Sequence, residues 1–175
     1  MRQSCPNDFE QAALPHLNHA YNLARHLTRN DQDAEDIVQE AYLRAFKFYR
    51  HFRGGDVRPW LLKIVRNTYY TWLRQNRVQQ PIESDDDLVS RDQHFGNPEE
   101  LAIQNISRGL LRKALEALSP RFRELLILRE LEGMSYKEIS NVVGVPTGTV
   151  MSSLSRARTR LRQSMTELMT DLNPT

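Results

Sequence analysis

Polar side chains recur at helical spacing in the stretch PWLLKIVRNTYYTWLRQNR, residues 59–77. They are three or four positions apart and therefore share one face of a helix. These residues are Lys63, Arg66, Asn67, Tyr70, Arg74 and Arg77. No acid occurs between Pro59 and Gln80, although a solvated helix usually mixes charges of both signs. Cations bind phosphates and aromatic rings stack on bases, so this face indicates single-stranded nucleic acid as its ligand.

The other side of this helix is apolar and is expected to face a core. Pro59 is expected at the first helical position, where its missing N–H costs nothing. Gly54 and Gly55 predict a break before the helix, because glycine disfavours helical backbone. The predicted buried residues are Leu61, Ile64, Val65, Thr68 and Trp72, with Leu62, Tyr69 and Leu73 on the flank.

A second nucleic-acid site is predicted near the end of the chain. Ser135 and Glu138 form a capping box for a short helix, and Gly144 begins a tight turn. A longer basic helix follows, with Thr147 as its expected cap. This order is typical of a helix-turn-helix, whose second helix enters the major groove of DNA. Its contact face is predicted to comprise Thr149, Ser152, Ser153, Arg156 and Arg160, opposite Val150, Leu154 and Leu161.

An acidic face is predicted on the helix AEDIVQEAYLRAFKFY, which either Asp31 or Asp33 can cap. Asp36, Gln39 and Glu40 lie three and four positions apart on one side. Taken alone, these residues indicate only a solvated surface near a helix N-terminus, where acids are favourable. The opposite, buried stripe is predicted to be Ile37, Val38, Ala41, Tyr42, Ala45 and Phe46.

Patterns typical of enzymes are missing from the sequence. His16 and His19 share a helix face with His26, but no Cys, Asp or Glu stands at ligand spacing on that helix. There is no glycine-rich phosphate loop and no nucleophile elbow. We therefore expect no enzymatic activity, no metal and no cofactor. The single Cys5 cannot form an internal disulfide, which is typical of a reducing compartment.

The elements that position these faces predict an all-α fold of two small domains. Residues 1–77 and 101–175 are helical in pattern and each carry a net charge of +4, whereas the connector 78–100 carries −6. The connector contains Pro81, Gly96 and Pro98 and has no sustained apolar period, so it predicts a flexible acidic linker. In the second domain, Ser119-Pro120 predicts the start of a helix that Gly133 ends.

No apolar run approaches the roughly 18–20 residues that a membrane helix needs. The first residues, MRQSCPNDFEQ, lack the apolar core of a signal peptide. We therefore expect a cytoplasmic protein without membrane insertion. Two basic blocks on either side of an acidic connector favour nucleic acid as a partner.

Four segments together resemble the bacterial sigma factors of the extracytoplasmic-function (ECF) group. They occur in the family's order and cover nearly the whole chain. The segments are DAEDIVQEAYLRAF (33–46), FRG (52–54), PWLLKIVRN (59–67) and LSPRFRELLILRELEGMSYKEIS…VPTGTVMSSLSRARTRL (118–161). The resemblance implies a transcription initiation factor with sigma region 2 in residues 1–77 and sigma region 4 in residues 101–175.

The resemblance also implies partners for each face. Phe52 and Asn67 match family residues that line the pocket for a flipped-out base of the minus-ten element, and the rest of the polar stripe would hold neighbouring nucleotides. The VQE of residues 38–40 matches the segment that docks on the β′ clamp helices of core RNA polymerase, which makes Asp36, Gln39 and Glu40 the expected partner residues. The helix-turn-helix would read the minus-thirty-five element beside the β flap, and the linker would run toward the RNA exit path. An anti-sigma factor and a stress- or signal-responsive regulon are also implied.

The chain departs from many relatives at Thr71, where they have Asp, and at Ser153, where they have a basic residue. The second departure removes an expected DNA contact. Two alternatives stay open from the residues. One is a dimeric helix-turn-helix regulator that binds duplex DNA, with residues 1–77 as a sensor or dimerisation domain. The other is a metal- or redox-responsive module that uses Cys5 and the histidines.

Overall fold

The computed structural model describes residues 6–76 and 98–172, and all regular secondary structure in these ranges is helical. The predicted all-α class is confirmed for this part of the chain. Single turns occur at Leu14–His16, at Tyr49–His51 and, with π-type bonding, at Ile127–Leu131. The helices are α1 (Pro6–Ala13), α2 (Leu17–Thr28), α3 (Asp31–Phe48), α4 (Val57–Asn76), α5 (Pro98–Glu116), α6 (Pro120–Leu126), α7 (Tyr136–Val143) and α8 (Thr147–Leu172).

Helices α2, α3 and α4 pack against one another in the N-terminal half, residues 6–76. The turn from α2 to α3 uses Arg29 in the left-handed region (φ 61°), followed by Asn30 as N-cap. The Asn30 side chain accepts from the Asp33 N–H at 3.0 Å. The expected cap, Asp31 or Asp33, was therefore wrong by one to three residues, because asparagine caps a helix as well as aspartate does.

The buried side of α4 is wider than the sequence predicts. Leu61, Val65 and Thr68 are buried as expected and Leu62 and Tyr69 are buried with them, while Ile64 and Trp72 are partly buried and pack against the core. The reason is that α4 packs against both α2 and α3, so its apolar arc is wider than a single stripe. The helix also begins two residues before Pro59, at Val57, after Gly54 and Gly55 at positive φ.

The predicted helix-turn-helix is present in the C-terminal half, residues 98–172. Ser119 caps α6, and Gly133 follows the π-type turn with φ 64°. Ser135 and Glu138 make both bonds of the capping box, and Gly144 ends α7 in the left-handed region. Thr147 is the first residue of α8 rather than its cap, since the Val150 N–H bonds to the Pro146 carbonyl.

Both halves contribute to one continuous hydrophobic core. The cluster that contains Leu27, Ile37 and Val65 extends to Leu125 and Leu128 of the other half. Contacts between α4 and α7 and between α2 and α6 close the arrangement. The polar face of α4 and the start of the helix-turn-helix therefore lie against each other.

The capping box can be tested by the substitution Ser135→Ala. It removes the side-chain acceptor of the Glu138 N–H and should lower the free energy of unfolding by about 1 kcal/mol. Urea unfolding followed by circular dichroism measures the change. Ser155→Ala, at an exposed position within α8, is the matched control. An equal loss in both variants would contradict a specific role for the cap.

Candidate nucleic-acid interface

The polar face of α4 is partly exposed and partly covered. Lys63, Asn67 and Arg74 are exposed, whereas Arg66 and Tyr70 are half-buried. Arg77 lies outside the described residues. The face keeps the acid-free character that the sequence indicates, because α4 contains no Asp or Glu.

Arg66 and Tyr70 are covered by Glu124 from α6 of the other half. Nε of Arg66 donates to both carboxylate oxygens, at 3.0 and 3.1 Å, and its guanidinium lies 4.6 Å from the centre of the Tyr70 ring. Glu124 is fully buried. Burial raises its pKa above the ordinary value for glutamate, against the lowering effects of Arg66 and of the Tyr70 hydroxyl. Burial and the nearby carboxylate also raise the pKa of Tyr70.

Three further arginines donate to backbone carbonyls across the seam between the halves. Arg123 of α6, itself buried, bonds to the carbonyls of His26 (2.9 Å) and Leu27 (3.2 Å) at the end of α2. Arg58 bonds to the Glu132 carbonyl at 2.9 Å, and Arg29 to the Glu116 carbonyl at 3.2 Å. These bonds hold the C-terminal half against the N-terminal half.

Glu124 and Glu132 were missed as interface residues in the sequence. Both carboxylates are buried. Oε2 of Glu132 lies 2.5 Å from Nδ1 of His19, but the angles do not make a hydrogen bond. One local signal in the sequence points to Glu124. It directly precedes the buried run Leu125–Leu128, where an acid is unexpected without a partner. The partner itself lies 58 positions away.

Phe52 lies in an aromatic cluster at the N-terminal end of α4. Its ring stacks on Tyr49 (centres 6.0 Å apart, planes at 12°) and lies 5.0 Å from Trp60. Trp60 thus packs within the cluster. Asn67 is ten positions beyond Val57, or roughly 15 Å along the helix. The structure places the two predicted base-contacting residues on the same half but does not show them in contact.

Three of the five residues predicted to form the contact face on α8 are exposed. Ser152, Arg156 and Arg160 are exposed and Thr149 is half-buried. Ser153 is only 6% exposed and lines a cavity of about 270 Å³ together with Arg66, Tyr70 and Glu124. Its expected place on the exposed face was wrong, because this side of α8 faces Arg66, Tyr70 and Glu124 across the cavity.

The acidic face of α3 is fully presented to solvent. Asp36, Gln39 and Glu40 are exposed, and Glu40 accepts from Nε of Arg44 at 2.7 Å. Leu43 follows on the same face and is 54% exposed.

No group of three His, Cys, Asp or Glu that could hold a metal occurs among the described residues. The rings of His16 and His19 are 6.0 Å apart, and Cys5 lies outside the described ranges. No helix in these ranges is both long and apolar enough to cross a membrane.

Two family comparisons match the two halves. Residues 13–78 match sigma-70 region 2, and residues 108–161 match sigma-70 region 4. The chain thus combines the two regions that the resemblance implied, in the expected order.

Individual relatives show to which group of sigma factors the chain belongs. The chain is 34% identical over 164 residues to the ECF RNA polymerase sigma factor SigE of Mycolicibacterium smegmatis, covering 87% of this chain and 63% of that relative. It is 35% identical over 136 residues to the ECF RNA polymerase sigma-E factor of Escherichia coli, covering 72% of this chain and 70% of the relative. The aligned stretch therefore spans less than two thirds of the mycobacterial protein. The chain belongs to the ECF sigma factors.

A solved structure supports the same assignment. The sigma factor RpoE of Bartonella quintana, determined in complex with the anti-sigma factor NepR, superposes with a TM-score of 0.74 at 27% identity. The match covers 91% of this chain and 98% of RpoE, so it includes both halves.

A pH-dependent contribution to stability is expected at the seam. Burial, together with the charges of Arg25 and Arg123, lowers the pKa of His26. The unfolded chain therefore binds a proton near pH 6.5, before the folded chain does, and folding loses stability as the pH falls below about 7. His26→Gln should remove this loss.

The measurement compares urea unfolding of the wild type and His26→Gln between about pH 7 and pH 5. The stability advantage of the variant should grow toward the acidic end. The exposed His51→Gln is the control and should follow the wild type. Parallel curves for His26→Gln and the wild type would contradict this assignment.

Proposed function

We propose that this protein binds core RNA polymerase and directs promoter recognition and melting for a stress- or signal-responsive set of genes. The observation that carries the proposal is the acid-free polar face of α4 within a sigma-70 region 2. A duplex offers phosphates alone along its backbone, whereas a melted strand also offers unstacked bases to rings and amides. The protein would stabilise the melted promoter more than the duplex, and polymerase would perform the chemistry.

The minus-ten element would bind along α4. Lys63, Arg66 and Arg74 supply cations for phosphates, Asn67 supplies an amide for a base edge and Tyr70 supplies a ring. The cost of unstacking a base, a few kcal/mol, would be offset by stacking and phosphate contacts. Phe52 and Arg77 stay predicted members of this site.

The minus-thirty-five element would be read as duplex by the start of α8. Thr149 and Ser152 are small, so the helix can approach base edges, while Arg156 and Arg160 reach a guanine edge or phosphates. Ser153 would join them only when the C-terminal half leaves α4, because it is buried in the closed arrangement.

Core polymerase would dock on α3. Asp36, Gln39 and Glu40 form an exposed polar edge, and Leu43 adds an apolar centre at the same face. Charges at such an edge steer association and fix orientation, while the buried apolar contact contributes affinity. The β′ clamp helices are the expected surface for this face, and the β flap for the C-terminal half.

An anti-sigma factor is a further proposed partner, since the related RpoE was solved with NepR. The alternative, a dimeric helix-turn-helix regulator of duplex DNA, is not favoured by the presence of region 2. Such a regulator would bind a palindromic duplex without polymerase. The polymerase-binding and DNA-binding experiments that follow would reveal this behaviour.

Charge reversal on α3 tests the docking surface. Asp36→Lys/Glu40→Lys should weaken binding to core RNA polymerase by about tenfold or more, because it places cations where the interface needs acids. Gel filtration of the mixture and a titration of labelled protein measure the effect. Asp8→Lys/Glu10→Lys, an exposed pair on α1 with the same charge change, should bind as the wild type does. Equal binding by all three proteins would overturn the assignment.

Arg156→Ala tests the duplex-reading face. In the reconstituted holoenzyme it should weaken binding to promoter fragments selected from a random pool by about 1–3 kcal/mol. Arg162→Ala is the control, because Arg162 is exposed on the same helix but turned away from the predicted face. If both substitutions weaken binding equally at every sequence, α8 supplies only non-specific charge.

A further inference from the structure

The ring of Phe52 is held in a defined orientation although the residue lies in a loop. This loop joins the single turn Tyr49–His51 to α4 and contains Gly54 and Gly55, both at positive φ. The Phe52 N–H donates to the Tyr49 carbonyl at 3.0 Å, and the two rings are offset-stacked with their planes at 12°. Tyr49 therefore constrains both the backbone and the ring plane of Phe52.

The ring of Tyr49 is in turn enclosed by residues of two helices. Phe9 of α1, which is buried, meets the Tyr49 ring edge-on at 5.3 Å, and Trp60 of α4 lies 6.2 Å away. The Tyr49 hydroxyl donates to the Asp8 carbonyl at 3.4 Å. Close packing of this kind leaves a side chain few alternative rotamers. The orientation of Phe52 thus depends on contacts that reach back to α1.

Phe52 still presents part of its ring to a ligand. The residue is half-buried, and the Trp60 ring lies tilted at 46° to it, with the ring centres 5.0 Å apart. A base that leaves the DNA stack can be held on the flat surface of an aromatic ring. A base bound on the exposed part of Phe52 would extend the stack that Tyr49 begins.

A ring that is already oriented binds a base more tightly than a mobile one. Ordering a mobile side chain on binding opposes association, and a side chain held in its bound orientation avoids that cost. The loop backbone is poorly suited to hold the ring, because Gly54 and Gly55 follow Phe52 closely and glycine restricts the chain least. The neighbouring ring of Tyr49 supplies the order instead.

We infer that Tyr49 is a positioning residue for the minus-ten element, which holds the Phe52 ring in the orientation that receives an unstacked base. Tyr49 acts through Phe52 and needs no DNA contact of its own. The inference rests on the proposed function of region 2, with Phe52 as a member of its DNA site. A merely structural Tyr49 would affect the stability of the fold but no particular base.

A thermodynamic cycle between protein and DNA tests this role. Holoenzyme is reconstituted with each variant, and its affinity is measured for the non-template minus-ten strand of a promoter selected from a random pool. Each nucleotide of that strand is replaced in turn by an abasic one. The base held by Phe52 is the one whose removal weakens binding by the wild type about fivefold or more but does not weaken binding by Phe52→Ala.

At that position the loss on base removal should largely disappear in Tyr49→Leu, which keeps an apolar side chain but lacks a flat ring. Tyr49→Phe keeps the ring and should behave as the wild type does. At every other nucleotide, Tyr49→Leu should show the wild-type losses. Tyr136→Leu, which removes a half-buried tyrosine from the C-terminal half, is the matched control and should leave the whole pattern unchanged.

Circular dichroism checks the fold of each variant. If Tyr49→Leu does not fold, Tyr49→Met replaces it, because methionine fills irregular gaps in a packed cluster without offering a flat ring. The same base-specific result is expected from it.

The outcomes separate the positioning role from the proposed function. If the loss at the Phe52-dependent base is the same in Tyr49→Leu as in the wild type, Tyr49 is structural, and its positioning role is overturned while the minus-ten face stands. If the losses shrink equally at every nucleotide, the substitution has damaged the whole DNA surface and the role is overturned as well. If no base depends on Phe52, its place in the site fails and the inference fails with it. Holoenzyme that binds no strand at all would overturn the proposed function itself.

Discussion

A charge buried between the two halves is the constraint on which the closed structure depends. Glu124 has no access to water, so its carboxylate needs a cation, and Arg66 of α4 supplies it. The pair therefore ties α6 to α4 across the seam, where α6 packs on α2 and α7 packs on α4. The partner is a residue of the face that also suits nucleic acid, so one set of side chains stabilises closure and would bind DNA.

Arg123 provides the second fixed point of the seam. Its guanidinium donates to carbonyls of Leu115, Glu116 and Leu118 within its own half and to those of His26 and Leu27 in the other. A buried arginine satisfied by five carbonyls holds the α5–α6 connection and the end of α2 in one geometry. The acidic face of α3, with Leu43 beside it, stays exposed in this arrangement.

Local structure was largely predictable because its causes are local. The caps at Ser119 and Ser135, the turns at Gly133 and Gly144 and the buried residues of α8 follow from spacing and backbone preference. The predictions were wrong where two cap residues are nearly equal in energy, or where packing against a further helix buries additional residues. Asn30 replaced the aspartates as cap, and Leu62 and Tyr69 are buried where Ile64 and Trp72 are only partly buried.

The helical class, the helix-turn-helix, the acid-free face of α4 and the family can all be read from the sequence, because they rest on residue type at short spacing. The covering of Arg66 and Tyr70, the burial of Ser153 and the contact of Glu124 with α4 are visible only in the folded chain. Such contacts join residues 58 positions apart. They depend on how two helical surfaces and their buried charges fit together, which no periodicity within one segment records.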